Sequence, residues 1–212
     1  GSGSGDFTVN THIAGESTVT IDGSNFGGTM DVAKLTAAGN TTVSMGSEGY
    51  FSASSISTVG NFILDGAAAA TGQLTIQGLT AQGNITISMG TGTGAATLVS
   101  GVTAGNYTLD ATNFGGALDL TNVVASGSFV ASVGTNGDFS AGTAMTVGAF
   151  TVDAAAATSG AITITTVSAG GNATISMGAG TGSLAIAGLT AAGNFTLDAS
   201  TFGGAIDVTA VS

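Results

Sequence analysis

The chain has 212 residues with 43% apolar and only 6% charged side chains, 37 glycines, and no proline, cysteine or tryptophan. Twelve acidic residues against one basic residue give a net charge of −11; this excludes nucleic-acid binding, which needs lysine and arginine, and disfavours binding to anionic lipid. The apolar content excludes disorder, no apolar run reaches the ~18 residues of a membrane helix, and the lack of cysteine removes disulfides and thiolate metal sites.

The first 16 residues are predicted to be a linker followed by a short partial coil. Gly1-Ser2-Gly3-Ser4-Gly5 has the composition of a flexible linker. Residues 5–10 (GDFTVN) match the start of a repeat unit, but the next unit starts only 12 residues later, at Ser17. We interpret the shortened unit as a join that accepts the last coil of a preceding segment.

From Ser17 onward the chain is one repeat. The segment GNYTLDATNFGG from Gly105 returns as GNFTLDASTFGG from Gly193, 88 residues later, and glycine marks a shorter unit of about 22 residues within that period. Residues 17–212 are therefore predicted to form nine coils. The coils start at residues 17, 39, 60, 83, 105, 127, 148, 171 and 193.

Each unit contains two stretches of alternating polarity, which is typical of half-buried strands. A unit of about 22 residues is too short for paired helices and fits one coil of a β-solenoid, with successive coils ~4.8 Å apart. The predicted fold is therefore all-β, a parallel β-solenoid, and the crossover preference favours a right-handed one. Gly-Asn and Gly-Gly pairs mark the corners, where we expect positive φ.

Three columns of the first stretch predict which side chains point inward. Two columns are mainly apolar and should form the core, whereas the threonine-rich column between them should face outward. The first apolar column is Val19, Thr41, Phe62, Ile85, Tyr107, Phe129, Phe150, Ala173 and Phe195, and the second is Ile21, Val43, Leu64, Ile87, Leu109, Ala131, Val152, Ile175 and Leu197. The outward column is Thr20, Thr42, Ile63, Thr86, Thr108, Val130, Thr151, Thr174 and Thr196.

A fourth column alternates aspartate with serine in every coil. It consists of Asp22, Ser44, Asp65, Ser88, Asp110, Ser132, Asp153, Ser176 and Asp198. Like charges directly opposite each other destabilise adjacent strands. Alternation separates the carboxylates by ~9.6 Å, about one Debye length, so the pattern indicates that consecutive units touch.

The residues that could support catalysis are too few or too repetitive, and the chain is predicted not to be an enzyme. His12 is the only histidine and Lys34 the only basic residue, so both are interpreted as surface side chains and no triad can be built. Carboxylate pairs such as Asp22 with Asp31, or Asp110 with Asp119, recur with the repeat, whereas an active site is normally made once. No catalytic, cofactor-binding or metal-binding residue is predicted.

Calcium is the alternative interpretation of the acidic residues. The GGxGxDxUx nonapeptide of calcium-binding solenoids is absent, and only partial matches occur around Asp138 and in the FGGxxD runs that end at Asp31, Asp119 and Asp207. Calcium needs 6–8 oxygen ligands, which one aspartate per corner does not supply, so a plain acidic surface is preferred. Glycine-rich strings such as residues 90–94 and 178–182 precede no helix and are not interpreted as phosphate loops.

The GNxT(x)D/S repeats, with their glycine-, alanine-, threonine- and asparagine-rich composition, resemble the repetitive regions of giant bacterial surface proteins, namely type I-secreted adhesins and S-layer proteins. The resemblance implies secretion, an extracellular or cell-surface location and a structural or adhesive role. The predicted function is a structural module of an extracellular filament or surface layer that stacks head to tail with further copies of itself. The alternatives are a stalk or ligand-binding section of an adhesin and an ice-binding threonine ladder.

Overall fold

The computed structural model describes residues 5–10, 12–15, 17–69, 73–135 and 138–212, with the backbone alone for residues 12–14. Of the linker predicted for residues 1–5, residues 1–4 lie outside this part of the chain. The first eight strands are β1 Phe7–Val9, β2 His12–Ala14, β3 Val19–Asp22, β4 Thr29–Val32, β5 Leu35–Ala37, β6 Thr41–Ser44, β7 Tyr50–Ala53 and β8 Ile56–Thr58. The next eight are β9 Phe62–Gly66, β10 Leu74–Ile76, β11 Leu79–Ala81, β12 Ile85–Met89, β13 Ala96–Thr103, β14 Tyr107–Ala111, β15 Leu118–Ala125 and β16 Phe129–Val133. The last eight are β17 Phe139–Thr146, β18 Phe150–Ala154, β19 Ala161–Ala169, β20 Ala173–Met177, β21 Ser183–Ile186, β22 Leu189–Ala191, β23 Phe195–Asp198 and β24 Ala205–Val208.

The strands form two parallel sheets, which confirms the predicted parallel β-solenoid. Among the described residues, sheet 1 has nine strands, from β3 at one end to β23 at the other, and consists of the first stretch of each coil. In the same part of the chain, sheet 2 has 15 strands and contains the second stretch, with a path of ten strands from β1 to β24. Each strand pairs with its counterpart in the next coil, about 22 residues along the chain. The right-handed sense of the coil stays a prediction.

The second stretch of each coil contains two strand positions, so a coil has three. In the coils that start at residues 17, 39, 60 and 171 they are separate strands, such as β10 and β11, whereas β13, β15, β17 and β19 each run through both positions without a break. The sequence pattern shows this second stretch as a single alternating run. The bend between the two positions is visible only in the pairing.

The predicted inward columns form one continuous core. Every member of the first apolar column from Val19 to Ala173 is buried, and Leu109 in the second column is 3% exposed. The rings of Tyr107, Phe129 and Phe150 stack in successive coils, with centroids 5.4 and 5.0 Å apart. Gly101 leaves room for the first ring, because a Cβ atom there would lie 3.0 Å from Tyr107. Identical positions in successive coils thus stack as ladders.

An asparagine ladder explains the Gly-Asn pairs. The side-chain oxygen of Asn84 accepts a hydrogen bond from the backbone N–H of Asn106 in the next coil, at 2.8 Å, and Asn40, Asn61, Asn106 and Asn172 act in the same way. A Cβ atom on Gly105 would collide with the side-chain oxygen of Asn84. The prediction of positive φ at these corners was wrong: among the described residues only Gly160 has it, at 100°. The corner glycines serve close approach between coils.

Two kinds of corner alternate along the solenoid. In the coils that start at residues 17, 60, 105, 148 and 193, here called aspartate coils, the column aspartate accepts a hydrogen bond from the N–H two residues later, at 3.0–3.2 Å. A turn follows, closed in the coil at 105 by the N–H of Phe114 donating to the carbonyl of Ala111 at 2.9 Å. In the serine coils, which start at 39, 83, 127 and 171, a glycine lies against the carbonyl oxygens of the turn in the preceding aspartate coil. These glycines are Gly46, Gly90, Gly134 and Gly178.

The first strand occupies a different place from the one predicted. Residues 5–10 were matched to the start of a coil, but Phe7 pairs with Met30 and Val9 with Val32, so β1 belongs to the second stretch. The strand β2 likewise pairs with β5. The interval of 12 residues before Ser17 is therefore the second half of a coil rather than a shortened one. A three-residue alternating run fits either stretch, and only pairing with β4 distinguishes them. The division of the chain at residue 17 stays a prediction.

Candidate functional site: the two ends of the solenoid

The residues considered for catalysis lie apart. Asp22 ends a strand of sheet 1, whereas Asp31 lies in sheet 2, and Asp110 and Asp119 are separated in the same way. Lys34 is exposed, as predicted. The side chain of His12 is outside the described part of the chain. Among the described residues, no group of three or more histidine, cysteine, aspartate or glutamate side chains could hold a metal ion.

Several aspartate carboxylates accept hydrogen bonds from backbone N–H groups. The side-chain hydroxyl and backbone N–H of Ser24 lower the pKa of Asp22, and the backbone N–H and hydroxyl of Ser200 lower the pKa of Asp198. Asp138 accepts the N–H of Ala161 in the next coil at 2.7 Å. Aspartate therefore stabilises the backbone conformation of the corners. The hydrogen bonds to the carboxylate favour its charged form.

We expect removal of divalent ions to leave the fold intact. The stacked core and the ladders of backbone hydrogen bonds hold the coils together without a metal, and the corner aspartates already bond to backbone N–H groups. The β signal in circular dichroism and the midpoint of thermal unfolding should be the same before and after dialysis against EDTA. Re-addition of calcium is the control. A loss of β signal that calcium restores would identify the acidic corners as calcium sites.

At the carboxyl-terminal end, the core is open. Ile206 and Val208 in β24 are 46% and 40% exposed, whereas Leu118 and Leu120, their counterparts 88 residues earlier, are 2% and 4% exposed. The strand β23 pairs with β20 on one side, and no described strand pairs with its other side. The end therefore presents apolar side chains together with the hydrogen-bonding groups of an open strand edge.

At the amino-terminal end, an apolar cleft lies between β1 and β3. One part of it has a volume of about 280 Å³ and is lined by Phe7, Ile21, Phe26 and Met30, with Thr20, Asp22 and Gly23. An adjoining part of about 500 Å³ includes Val9, Val19 and Leu35 among its lining residues. Phe7 is 46% exposed at its edge. This end is thus a concave surface with a strand edge on its floor.

The two ends differ in shape because the sheets differ in length. At the carboxyl-terminal end, β23, β24 and the bridge between Leu189 and Val211 belong to one coil, so all three strand positions end together. At the amino-terminal end, β1 and β2 lie one layer beyond β3. Sheet 2 therefore projects past sheet 1 by one strand, and the cleft is the step that this leaves.

An exposed apolar stripe runs along the third strand position. Val102, Val124 and Met145 face outward in three successive coils, with exposed fractions of 39%, 39% and 52%. Sequence reasoning missed the stripe because it treated the second stretch as one strand. The signal was present as a column of apolar residues at one position of three successive coils, Val102, Val124 and Met145.

The fold defines this chain as a β-solenoid repeat protein, in which the described residues of the first and last coils expose apolar side chains. No helix of the described part is long and apolar enough to cross a membrane. Comparison with protein-family models, curated proteins and solved structures finds no match. The assignment to a class therefore rests on the repeat and on the fold.

Proposed function

We propose that this chain is a structural module of an extracellular filament or surface layer, in which further solenoid coils of the same repeat cover its two ends. The observation that carries the proposal is the open core at β23 and β24. Burying the exposed part of side chains such as Ile206 and Val208 would contribute about 25 cal/mol for each Å² of apolar surface. Another parallel coil would also pair with the free strand edge.

The form of the open ends favours more solenoid over a partner of another kind. A globular partner would meet a row of backbone groups spaced for a parallel strand, with apolar side chains on one side of it. Within the solenoid each such row is already covered by the next coil in register. A coil with the same spacing satisfies both requirements, and repeat proteins gain stability from this contact between neighbours.

The extracellular location rests on the resemblance to bacterial adhesins and S-layer proteins and on composition. The composition that contributes to this resemblance has no cysteine, one basic residue and a net charge of −11. The outward threonine column of sheet 1 is a poor match for an ice-binding surface. Ile63 and Val130 interrupt the column, and an aspartate lies beside it in every second coil. The stalk of an adhesin would be built from the same solenoid and would differ in carrying a non-repetitive tip.

Electron microscopy of the source cells, with gold-labelled antibody against this chain, tests the proposal. We expect label on fibres or a sheet outside the cell. Isolated material should diffract at ~4.8 Å along the fibre or rod axis, with a longer period of ~19 Å from four coils. Antibody pre-absorbed with the purified chain is the control. Label confined to the cytoplasm, or material without the ~4.8 Å spacing, would contradict the proposal.

A further inference from the structure

The exposed apolar stripe of Val102, Val124 and Met145 departs from the repeat around it. In the coils on either side, the same outward position of the third strand holds a hydroxyl side chain, namely Thr36, Ser57, Thr80, Ser168 and Thr190. The superperiod of 88 residues returns threonine for Val102 and Val124, at positions 190 and 36, and serine for Met145, at position 57. The repeat therefore forms this strand with polar residues elsewhere, and the fold does not require the stripe.

A shallow hollow lies beside the stripe. It has a volume of about 130 Å³, and Val124, Met145, Val147 and Ser168 are among the residues that line it. The hollow arises because the coil after Met145 and Val147 has the smaller residues Ser168 and Gly170 at these positions. A site for a small molecule usually has about 300 Å³ or more. An apolar patch with a polar rim and a hollow of this size instead fits the side chains of another protein.

The face that carries the stripe is uncharged. Every residue of the third strand position from β5 to β22, and of the corner that follows each strand, has a neutral side chain. The aspartate column lies on sheet 1, and a second set of aspartates lies at the first strand position of sheet 2, at Asp31, Asp119 and Asp207. The described part of the solenoid is thus acidic on two faces and neutral on the third.

This distribution of charge favours an acidic partner at the neutral face. A basic protein would be attracted to the aspartate faces, whereas an acidic protein meets like charges everywhere except at the third strand position. The chain itself is such a protein, with a net charge of −11. A second copy also presents a stripe whose residues are spaced at the same ~4.8 Å. Stripe can therefore pack on stripe about a two-fold axis, the self-complementary contact found in most homodimers.

We propose that two copies of this chain associate side by side, with the stripes of their neutral faces packed against each other about a two-fold axis. Val124 belongs to the middle coil of the stripe, so it lies at the axis and contacts its counterpart in the second copy. The aspartates of both copies stay on the outer faces, in contact with water. The contact is lateral and does not rest on the proposed coverage of the ends by further coils.

Sedimentation equilibrium of the full chain tests the pairing, with variants designed from the repeat itself. The stripe variant combines Val102→Thr, Val124→Thr and Met145→Ser, which are the residues that the repeat has 88 positions away, so it should fold as the unmodified chain does. The control variant combines Ile63→Thr and Val130→Thr, which remove apolar side chains from the outward column of sheet 1 instead. Circular dichroism verifies the fold of both variants.

We expect the unmodified chain and the control variant to form dimers as concentration rises, and the stripe variant to dimerise at least roughly tenfold more weakly, because a few central apolar side chains carry most of the binding energy. Added salt should strengthen the dimer, since it screens the repulsion between two acidic copies. A monomer at all concentrations, equal dimerisation of the stripe variant, or equal weakening by both variants would overturn the inference.

A single cysteine separates this contact from association at the ends, because the chain contains no other cysteine. On mild oxidation Val124→Cys should form a disulfide-linked dimer, and Thr108→Cys, on the outward face of sheet 1, should form one at least roughly tenfold more slowly. Linked dimers that grow no further would support the lateral pairing and count against the proposed coverage of the ends. Long oligomers in which Val124→Cys stays unlinked would overturn the pairing and leave the proposed function standing.

Discussion

Replacing Leu109 with aspartate should unfold several coils at a temperature at which the unmodified chain is stable. Leu109 is 3% exposed and lies between Ile87 and Ala131 of the adjacent coils. Loss of a buried leucine side chain alone costs about 2–5 kcal/mol. The carboxylate adds a further penalty because it has neither a charged partner nor water in the core. Since each coil is stabilised by its neighbours, the defect should extend beyond its own coil.

Thermal unfolding followed by circular dichroism measures this effect, with Thr108→Ser as the matched control. Thr108 is the neighbouring residue on the same strand and faces outward, so its substitution should change stability by less than about 0.5 kcal/mol. Burial raises the pKa of a carboxyl group, so the destabilisation caused by Leu109→Asp should be smaller in acid, where the group is neutral. An unchanged midpoint for Leu109→Asp would show that the side chain does not point inward.

Replacing Gly134 with alanine should also destabilise the solenoid strongly, although it adds only one methyl group. A Cβ atom there would lie 2.6 Å from the carbonyl oxygen of Ala111 and closer still to that of Phe114. Both atoms belong to the backbone of the coil below, so the clash cannot be relieved by the movement of a side chain. The coils would have to separate locally, at a cost of about 3 kcal/mol.

Gly115→Ala is the control for this substitution. A Cβ atom on Gly115 would lie 3.5 Å from the Thr93 side chain, an ordinary contact. Alanine restricts the unfolded chain more than glycine does, so this variant should be neutral or stabilised by up to about 1 kcal/mol. Urea unfolding of the two variants should therefore give shifts that differ in size and in direction. If both midpoints move equally, the glycine of the serine coil is not needed for contact with the turn.

The aspartate–serine alternation shows how much a sequence pattern can convey. Repulsion between stacked carboxylates predicts that Asp110 has serine neighbours, and the register with Ser88 and Ser132 confirms it. The same alternation has a second cause that the pattern did not reveal. The aspartate also shapes a turn through the N–H of Thr112, and the glycine of the next coil accommodates that turn.

Repetition by itself determined the class of fold and the inward columns. A unit of about 22 residues with strict alternation is compatible with few structures, and identical residues in successive units must stack if the units touch. The column of Ile87, Leu109 and Ala131 could therefore be assigned to the core without coordinates. Such predictions succeed because they depend only on local alternation and on a regular spacing.

The tertiary structure decided what depends on contacts between coils. Glycine before asparagine fits both a positive φ and a close approach, and only the position of Asn84 below Gly105 identifies the second as correct. The three-residue strand β1 fits either stretch, and only its pairing with Met30 and Val32 places it in sheet 2. That placement creates the step and the cleft at the amino-terminal end. Short segments carry too few residues to determine their own register, so register is determined by the neighbouring coil.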